Sequence, residues 1–167
     1  MHKVYLLIGG NMGNREENLD KAVKLLVERA GSVTGLSAVF ETAAWGITDQ
    51  PSFLNQAVAI DTTLSPDQLL QTVLEIERAL GRIRKQKNGP RIIDIDILFY
   101  DDLIIQQKHL TVPHPEIQNR RFALAPLQNL APEFVHPVFR KSISELFDEC
   151  PDTLPVFIHI SSKEINI

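Results

Sequence analysis

The first hundred residues alternate between apolar runs of strand length and apolar residues at helical spacing. The run Val4–Ile8 has the length of a strand and is closed by the turn residues Gly9-Gly10-Asn11. Asn14 then stands as a helix N-cap with Glu17 three residues later, and apolar residues recur at helical spacing until Gly31. The chain is therefore predicted to begin with a strand followed by an amphipathic helix.

Two further strands and a second helix are predicted next. The segments Val33–Phe40 and Phe53–Ile60 have the composition of strands. Ser65 precedes a proline and is an N-cap with Gln68 as its capping-box partner, and Gly81 ends the helix that they begin.

The following segment, Ile92–Phe99, is predicted to be a strand because its residues alternate with period two. One face would carry Ile93, Ile95, Ile97 and Phe99, and the other would carry Asp94, Asp96 and Leu98. The resulting order, β-α-β-β-α-β, predicts an α+β fold of the ferredoxin-like type, with an antiparallel sheet and both helices on one face. The opposite face is expected to be free for a ligand.

The remainder of the chain is predicted to add smaller elements. Leu103–Val112 fits a short hairpin, Pro113–Arg121 is basic and rich in turn residues, and Ser142–Cys150 predicts a helix. The sequence has no internal repeat, low-complexity tract or linker-like stretch, so we expect a single domain spanning residues 1–167.

Composition narrows the class of protein. The 167 residues are 44% hydrophobic and include one cysteine, Cys150, which excludes an internal disulfide and favours a reducing compartment. No apolar run approaches the roughly 20 residues of a membrane helix. The net charge of −4 gives no general attraction to nucleic acid or to an anionic membrane. We therefore expect a cytoplasmic protein whose partners are small molecules, with no nucleic acid, membrane or protein partner.

The net charge conceals a contrast between two adjoining segments. Residues 82–91 contain five cations and no acid, and residues 92–102 contain four acids and no cation. Asp94 and Asp96 lie on one face of a predicted strand, with α-carbons about 6.6 Å apart. Such a pair suits Mg²⁺, which binds through one or two carboxylates and substrate phosphates, although a solvated strand face shows the same alternation.

The cationic segment changes this interpretation. Guanidinium groups bind phosphate oxygens through paired hydrogen bonds, and lysine acts as a point charge. Alone, the segment fits a solvated surface or a nucleic-acid contact; beside Asp94 and Asp96 it favours phosphoryl transfer. His114 is a candidate phosphate donor or a turn residue. Phe53 and Phe122 are candidate core residues or rings that enclose a flat heterocycle.

Residues 87–98 carry a more specific signal. Lys87 followed by Gly89-Pro90-Arg91-Ile92-Ile93-Asp94-Ile95-Asp96-Ile97-Leu98 resembles the signature of the 6-hydroxymethyl-7,8-dihydropterin pyrophosphokinases, a family of folate biosynthesis. Further matches occur in family order at Ile8–Asn11, Gln50–Asn55, Ile76-Glu77 with Gly81-Arg82, Leu110–His114, and Asn119-Arg120 with Phe122. The resemblance covers roughly residues 3–137.

This resemblance implies a ferredoxin-like fold and transfer of pyrophosphate from ATP to the hydroxymethyl group of the dihydropterin, with release of AMP. Asp94 and Asp96 would bind two Mg²⁺ ions and would form the catalytic set with Arg82 and Arg91. The implied ATP-binding residues are Arg82, Arg84, Arg91, Ile97, Leu110, Thr111, His114 and Arg120. The implied pterin-binding residues are Thr42, Ala43, Trp45, Phe53, Asn55 and Phe122. No residue stands out as a dedicated general base.

Two other classes of function stay open on the residues alone. A metal-dependent phosphohydrolase could use Asp94 and Asp96 with water as the acceptor, in which case Phe122 would contribute little to substrate binding. A ferredoxin-like RNA-binding module would present sheet aromatics to bases, but this chain lacks that aromatic pattern and carries net negative charge.

Overall fold

A central antiparallel sheet organises the structure, a computed structural model that describes residues 1–43, 50–82 and 90–161. The elements in chain order are β1 (His2–Gly10), α1 (Arg15–Arg29), β2 (Ser32–Leu36), β3 (Phe40–Thr42), β4 (Phe53–Thr62), α2 (Pro66–Ala79), β5 (Asp94–Tyr100), β6 (Ile105–Gln106), β7 (Thr111–Val112), α3 (Arg121–Leu130), α4 (Ile143–Asp148) and β8 (Val156–Ile158). The main sheet has the order β5-β1-β4-β3-β8, with β2 also paired to β4. The strands pair antiparallel, and the predicted ferredoxin-like arrangement is confirmed.

Both long helices begin at their predicted caps. Asn14 Oδ1 accepts a hydrogen bond from the Glu17 N–H at 3.1 Å, and Ser65 and Gln68 form a capping box. Gly81 follows the second helix with a φ of +95°, a left-handed conformation that glycine adopts without strain. The two helices cover one sheet face with a cluster of buried residues that includes Leu19, Leu26, Leu69, Val73 and Ile76.

The prediction of one strand over Val33–Phe40 is wrong, because the segment divides into β2 and β3 at Ser37. The Ser37 N–H donates to Ala57 O at 3.0 Å, and the Ser37 hydroxyl oxygen accepts from the Ala57 N–H at 2.9 Å. A side chain thus replaces the backbone acceptor of a regular ladder. The Ala38 N–H donates instead to the side chain of Asn129, so the chain leaves the sheet between the two strands.

The last predicted strand contains a β-bulge. In the ladder between β1 and β5, Tyr5 pairs with Phe99 and Leu6 pairs with Ile97, so Leu98 is an extra residue in β5. The prediction that Phe99 shares a face with Ile97 is therefore wrong. Phe99 packs with Tyr5 and Leu98 on the opposite side of the sheet.

The sheet face opposite α1 and α2 is only partly free, which corrects the expectation of an open face. Helices α3 and α4 cover part of it with a second cluster of buried residues that includes Leu124, Leu127, Ile143 and Leu146.

The predicted C-terminal helix is confirmed as α4, whose cap is Ser142, and the predicted hairpin is confirmed as β6 and β7. Among the described residues, no helix is both long and apolar enough to cross a bilayer.

The sequence pattern does not predict α3 or β8. Helix α3 contains Pro126, and its N-cap residue, Arg120, makes no side-chain capping hydrogen bond. The Arg121 N–H instead donates to Asp152 Oδ2 at 3.1 Å. This helix start is satisfied by a residue remote in sequence, so no local signature marks it.

Candidate active site

One cleft opens on the partly covered face of the sheet, where β1, β3, β4, β5 and the start of α3 meet. The residues that line it are Leu7, Gly9, Thr42, Ala43, Phe53, Asn55, Arg91, Asp94, Asp96, Arg120 and Phe122. The predicted pterin residues in this set are Thr42, Ala43, Phe53, Asn55 and Phe122, and the predicted phosphate and metal residues are Arg91, Asp94, Asp96 and Arg120. Groups from distant parts of the chain therefore share one cavity.

The other predicted residues within the described ranges do not line this cleft. Arg82 lies behind Asp94, to which its guanidinium donates. The side chains of Ile97 and Leu110 are buried in the core, and a second groove beside the hairpin is lined by Thr111 and His114. The two predicted residues that fall outside the described ranges are Trp45 and Arg84.

Asp94 is the ion-paired member of the carboxylate pair. It accepts hydrogen bonds from Arg82 Nη1 and, at 3.3 Å, from Arg91 Nη1. Burial opposes ionisation, but the two guanidinium groups outweigh it and hold the pKa of Asp94 below its ordinary value. Asp94 is therefore an ionised and oriented carboxylate at neutral pH.

Asp96, two residues further along β5, differs from Asp94 in having a raised pKa. Burial, together with the charges of Asp94 and Glu77, raises the pKa of Asp96 to about 8. Arg120 and Arg91 counter this effect only in part. The charge of Asp94 therefore disfavours ionisation of Asp96, a repulsion that a divalent cation bound at the pair would relieve.

Glu77 of α2 is a further buried acid that contacts these charged residues. The hydrophobic periodicity of α2 does not mark it as functional. It is 2% exposed and accepts hydrogen bonds from the Ile95 N–H at 2.7 Å and from Arg82 Nη1 at 2.9 Å. Glu77 therefore joins α2 to β5 and holds Arg82 against Asp94. The sequence does contain a signal for Glu77. It lies four residues after Val73 on the apolar face of α2, and a carboxylate on such a face needs a partner.

Two aromatic rings line the cleft beside guanidinium groups. Arg91 Cζ lies 4.9 Å from the ring centroid of Phe53, and Arg120 Cζ lies 5.6 Å from that of Phe122. Both distances fall within the range of cation–π contacts. The apolar and cationic walls are therefore contiguous, and a ligand on the rings would lie next to a ligand on the guanidinium groups.

Gly9 makes room for Asn55, which is 6% exposed and lines the same cleft. The two residues pair across β1 and β4. A Cβ at Gly9 would lie 2.0 Å from Asn55 Oδ1 and 2.7 Å from Leu54 O, distances that no real Cβ contact permits. Gly9 is therefore not simply a turn residue, as the sequence suggests, but a strand residue that allows a close approach.

Asn11 connects the two segments that lead into the cleft. Its Nδ2 donates to Gln50 Oε1 at 2.8 Å and to Pro51 O at 3.0 Å. Its Oδ1 accepts from the Arg91 N–H at 2.9 Å, and its own N–H donates to Arg91 O at 3.0 Å. One buried amide thus fixes the residues just before Phe53 and those just before β5.

His114 lies in the second groove with a neutral ring. Burial, together with the charge of Arg120, lowers the pKa of His114 to about 4. Nδ1 accepts from the Glu116 N–H at 3.2 Å, which places the ring proton on Nε2. The His114 N–H donates to Leu98 O at 3.0 Å, so the residue is held against β5 and can donate one hydrogen bond.

Comparison with known proteins places these observations in a family. Residues 5–132 match the sequence model of 7,8-dihydro-6-hydroxymethylpterin-pyrophosphokinase. The chain is 45% identical over 136 residues to the 2-amino-4-hydroxy-6-hydroxymethyldihydropteridine pyrophosphokinase of Methylorubrum extorquens, with 81% of this chain and 86% of that protein covered. It is 40% identical over 149 residues to the enzyme of the same name from Aquifex aeolicus, with 89% and 92% covered.

Longer proteins also contain the matching region. The folic acid synthesis protein fol1 of Schizosaccharomyces pombe is 39% identical over 148 residues, which are 88% of this chain and 20% of that protein. A crystal structure of Plasmodium falciparum HPPK-DHPS with pteroate superposes with a TM-score of 0.73 at 18% identity, covering 89% of this chain and 42% of that one. The structural likeness shows a common fold.

Proposed function

The chain belongs to the 7,8-dihydro-6-hydroxymethylpterin-pyrophosphokinase family, and we propose that it acts in the cleft lined by Phe53, Phe122, Asp94 and Asp96. It is a pyrophosphokinase of folate biosynthesis, which transfers pyrophosphate from ATP to the hydroxymethyl group of 6-hydroxymethyl-7,8-dihydropterin and releases AMP. One observation carries the assignment of the site. Aromatic rings, a buried amide, guanidinium groups and two carboxylates line a single cavity.

The pterin is proposed to bind on the aromatic side of this cleft. A pterin is a flat heterocycle with donors and acceptors along its edge. Phe53 and Phe122 can stack on its faces, and the Asn55 amide can both donate to and accept from its edge. Thr42 and Ala43 form the adjoining wall, and the family motif adds Trp45.

ATP is proposed to bind on the cationic side. Arg91 and Arg120 line the cleft and suit phosphate oxygens by charge and geometry. His114 would add its Nε2–H as a donor. The family motif assigns further contacts to Arg82, Arg84, Ile97, Leu110 and Thr111. Since β5 ends the strand order of the sheet, the outer backbone edge of Ile97 faces away from β1 and is available to a base.

Two Mg²⁺ ions are proposed to bind at Asp94 and Asp96. The pair fits a hard cation, because both carboxylates line the cleft and a cation would relieve the repulsion by which Asp94 opposes ionisation of Asp96. Among the described residues, no cluster of three or more His, Cys, Asp or Glu has ligating geometry, so phosphate oxygens and water would complete the coordination. Bound Mg²⁺ would polarise the phosphoryl group under attack.

The protein's own groups would then position the reactants and stabilise charge. Stacking on Phe53 and Phe122 would hold the hydroxymethyl oxygen of the pterin beside the two carboxylates. Arg91 and Arg120 would stabilise the charge that develops on the transferred group, which is the main protein contribution in phosphoryl transfer. Glu77 would keep Arg82 and Asp94 oriented throughout.

The assignment is tested by product analysis. The protein would be mixed with ATP, Mg²⁺ and 6-hydroxymethyl-7,8-dihydropterin, and AMP, ADP and inorganic phosphate would be measured beside a control without pterin. We expect AMP to form only when the pterin is present. ADP or phosphate released regardless of the pterin would indicate a phosphohydrolase and would contradict the pterin site.

Phe122→Ala is expected to raise the pterin KM about tenfold or more, because stacking of an aromatic ring on a heterocyclic base is worth ~1–3 kcal/mol. The KM for ATP should stay near the wild-type value. Leu130→Ala, which shortens an apolar side chain at the far end of the same helix, is the matched control. An unchanged pterin KM in Phe122→Ala would remove this ring from the pterin site.

Gly9→Ala is expected to raise the pterin KM by at least as much. The new methyl group would occupy the space of Asn55 Oδ1 and displace the amide from the cleft. Gly35→Ala is the control, since a Cβ there would press only on the end of the Leu130 side chain, at 2.9 Å. Steady-state kinetics with each substrate varied in turn would separate the two variants, and equal pterin KM values would contradict the role given to Gly9.

A further inference from the structure

The C-terminal segment packs against the strand that leads into the pterin side of the cleft. Strand β8 pairs with β3, placing Val156 opposite Thr42. The Thr42 hydroxyl donates to Pro155 O at 3.0 Å, and the His159 N–H donates to Val39 O at 2.8 Å. Thr42 is therefore held from the side by residues more than a hundred positions away in the chain.

His159 extends this contact with its side chain. Its Nε2 lies 2.7 Å from Glu16 Oε1 on α1, and its Nδ1 lies 3.1 Å from Glu41 Oε1 on β3. Ionised carboxylates only accept hydrogen bonds, so both ring nitrogens must donate, and only the imidazolium form can do this. The geometry therefore specifies a positively charged His159 between two acids.

The electrostatic surroundings of His159 agree with this form. Burial opposes the charge, but the hydrogen bonds to Glu16 and Glu41 outweigh it and raise the pKa of His159 above its ordinary value. Asp20 of α1 lines the same groove, and the Ser161 hydroxyl donates to Glu16 Oε2 at 3.0 Å. The acids that face the ring come from both α1 and β3.

Glu41 connects this contact to the residues that precede Thr42 and Phe53, two residues that line the cleft. Its Oε2 accepts from Arg15 Nη1 at 3.0 Å and from the Ser52 hydroxyl at 2.6 Å. Arg15 Nη1 also donates to Ser52 O at 3.1 Å. The hydrogen bond from Ser52 is the main cause that lowers the pKa of Glu41 to about 2. Residues 41 and 52 are thereby tied together immediately before Thr42 and immediately before Phe53.

We propose that His159 is a positioning residue for the pterin: as a cation between Glu16 and Glu41, it fixes the cleft wall formed by Thr42 and Phe53. This inference rests on the proposed pterin site. Neither His159 nor Glu16 lines the cleft, so their effect must pass through Glu41. The expected consequence is a pterin affinity that depends on a histidine outside the binding site.

The test is the pH dependence of pterin affinity in His159→Gln. Because the folded pKa of His159 is raised, its cationic bridge is complete at low pH and is lost as pH rises through that pKa, above ~6.5. The wild-type pterin KM should therefore increase over this range. In His159→Gln the pterin KM should be about fivefold higher at low pH and should lack this rise, with the ATP KM unchanged. Glu16→Gln should reproduce the effect, and the double variant should add little to it.

His2→Gln is the matched control, because His2 forms an exposed ion pair with Asp101 at 2.7 Å, and it should retain the wild-type profile. A wild-type pterin KM profile in His159→Gln would overturn the inference. An equal change in both KM values and kcat with a lower Tm would also overturn it, since this would show a purely structural role. Pterin binding is also measured without ATP, by the fluorescence of the pterin, so that the effect on binding is seen apart from activity. Failure of the proposed function would appear differently, because the wild type would then form no pterin-dependent AMP.

Discussion

Asp96→Asn is expected to lower kcat by about 10³-fold or more while leaving the protein folded. Loss of the carboxylate would remove a proposed Mg²⁺ ligand at the reacting phosphate, an effect of several kcal/mol on the transition state. The fold should tolerate the change, because asparagine has the same shape and carries no charge. AMP formation under saturating substrates is the measurement.

The stability of this variant makes the expectation more specific. The pKa of Asp96 is about 8 in the folded chain, so the folded state retains a proton that the unfolded state releases above pH ~4. Stability contributed by this group therefore falls as pH rises from ~4 towards 8. In EDTA at pH 7, Asp96→Asn should have a Tm equal to or above that of the wild type. Asp102→Asn removes an exposed acid just after β5 and should change neither kcat nor Tm. A Tm below that of the wild type in Asp96→Asn would contradict the raised pKa of Asp96.

Arg82→Ala is expected to have the largest effect on stability, about 3–5 kcal/mol in the free energy of unfolding. The side chain of Arg82 is 11% exposed, and the side chain of its partner Glu77 is 3% exposed. Removing the guanidinium leaves a buried carboxylate without its cation, and breaking a buried pair in this way costs about that amount. Urea unfolding measures the loss, and AMP formation should fall with it because Asp94 loses its orientation.

A second substitution separates the charge effect from lost packing. Arg82→Ala combined with Glu77→Gln should recover part of the stability, because no buried charge is then left without a partner. Lys141→Ala is the control, since Lys141 pairs with Glu149 at 2.7 Å but its side chain is 44% exposed, and an exposed pair of this kind contributes little to stability. Equal losses in Arg82→Ala and Lys141→Ala would show that the buried pair is not a stabilising contact.

Local signals account for the parts of the fold that the sequence predicts. Asn14 and Ser65 cap their helices with residues three positions away, and a capping box marks Ser142 in the same manner. The features that escape prediction depend on distant partners. Ser37 divides a strand through contacts with Ala57, and α3 begins on Asp152.

The site follows the same rule. Asp94 and Asp96 are conspicuous because carboxylates alternate with apolar residues directly after a cationic segment. Asn11, Gly9 and Glu77 are less conspicuous, because their contribution is a contact between segments that are far apart in sequence. A pattern along the chain identifies groups with unusual chemistry, whereas the groups that orient them become visible only when the elements are packed.

The bulge at Leu98 gives β5 two independent halves. Before it, alternation directs Asp94 and Asp96 to the cleft, while Ile95 and Ile97 pack under the helices. After it, the phase is reset, and Phe99 joins the second core. The reactive half and the anchoring half therefore do not share one alternation, and the bulge allows β5 to present two carboxylates to the cleft and to bury a large aromatic ring on the same side of the sheet.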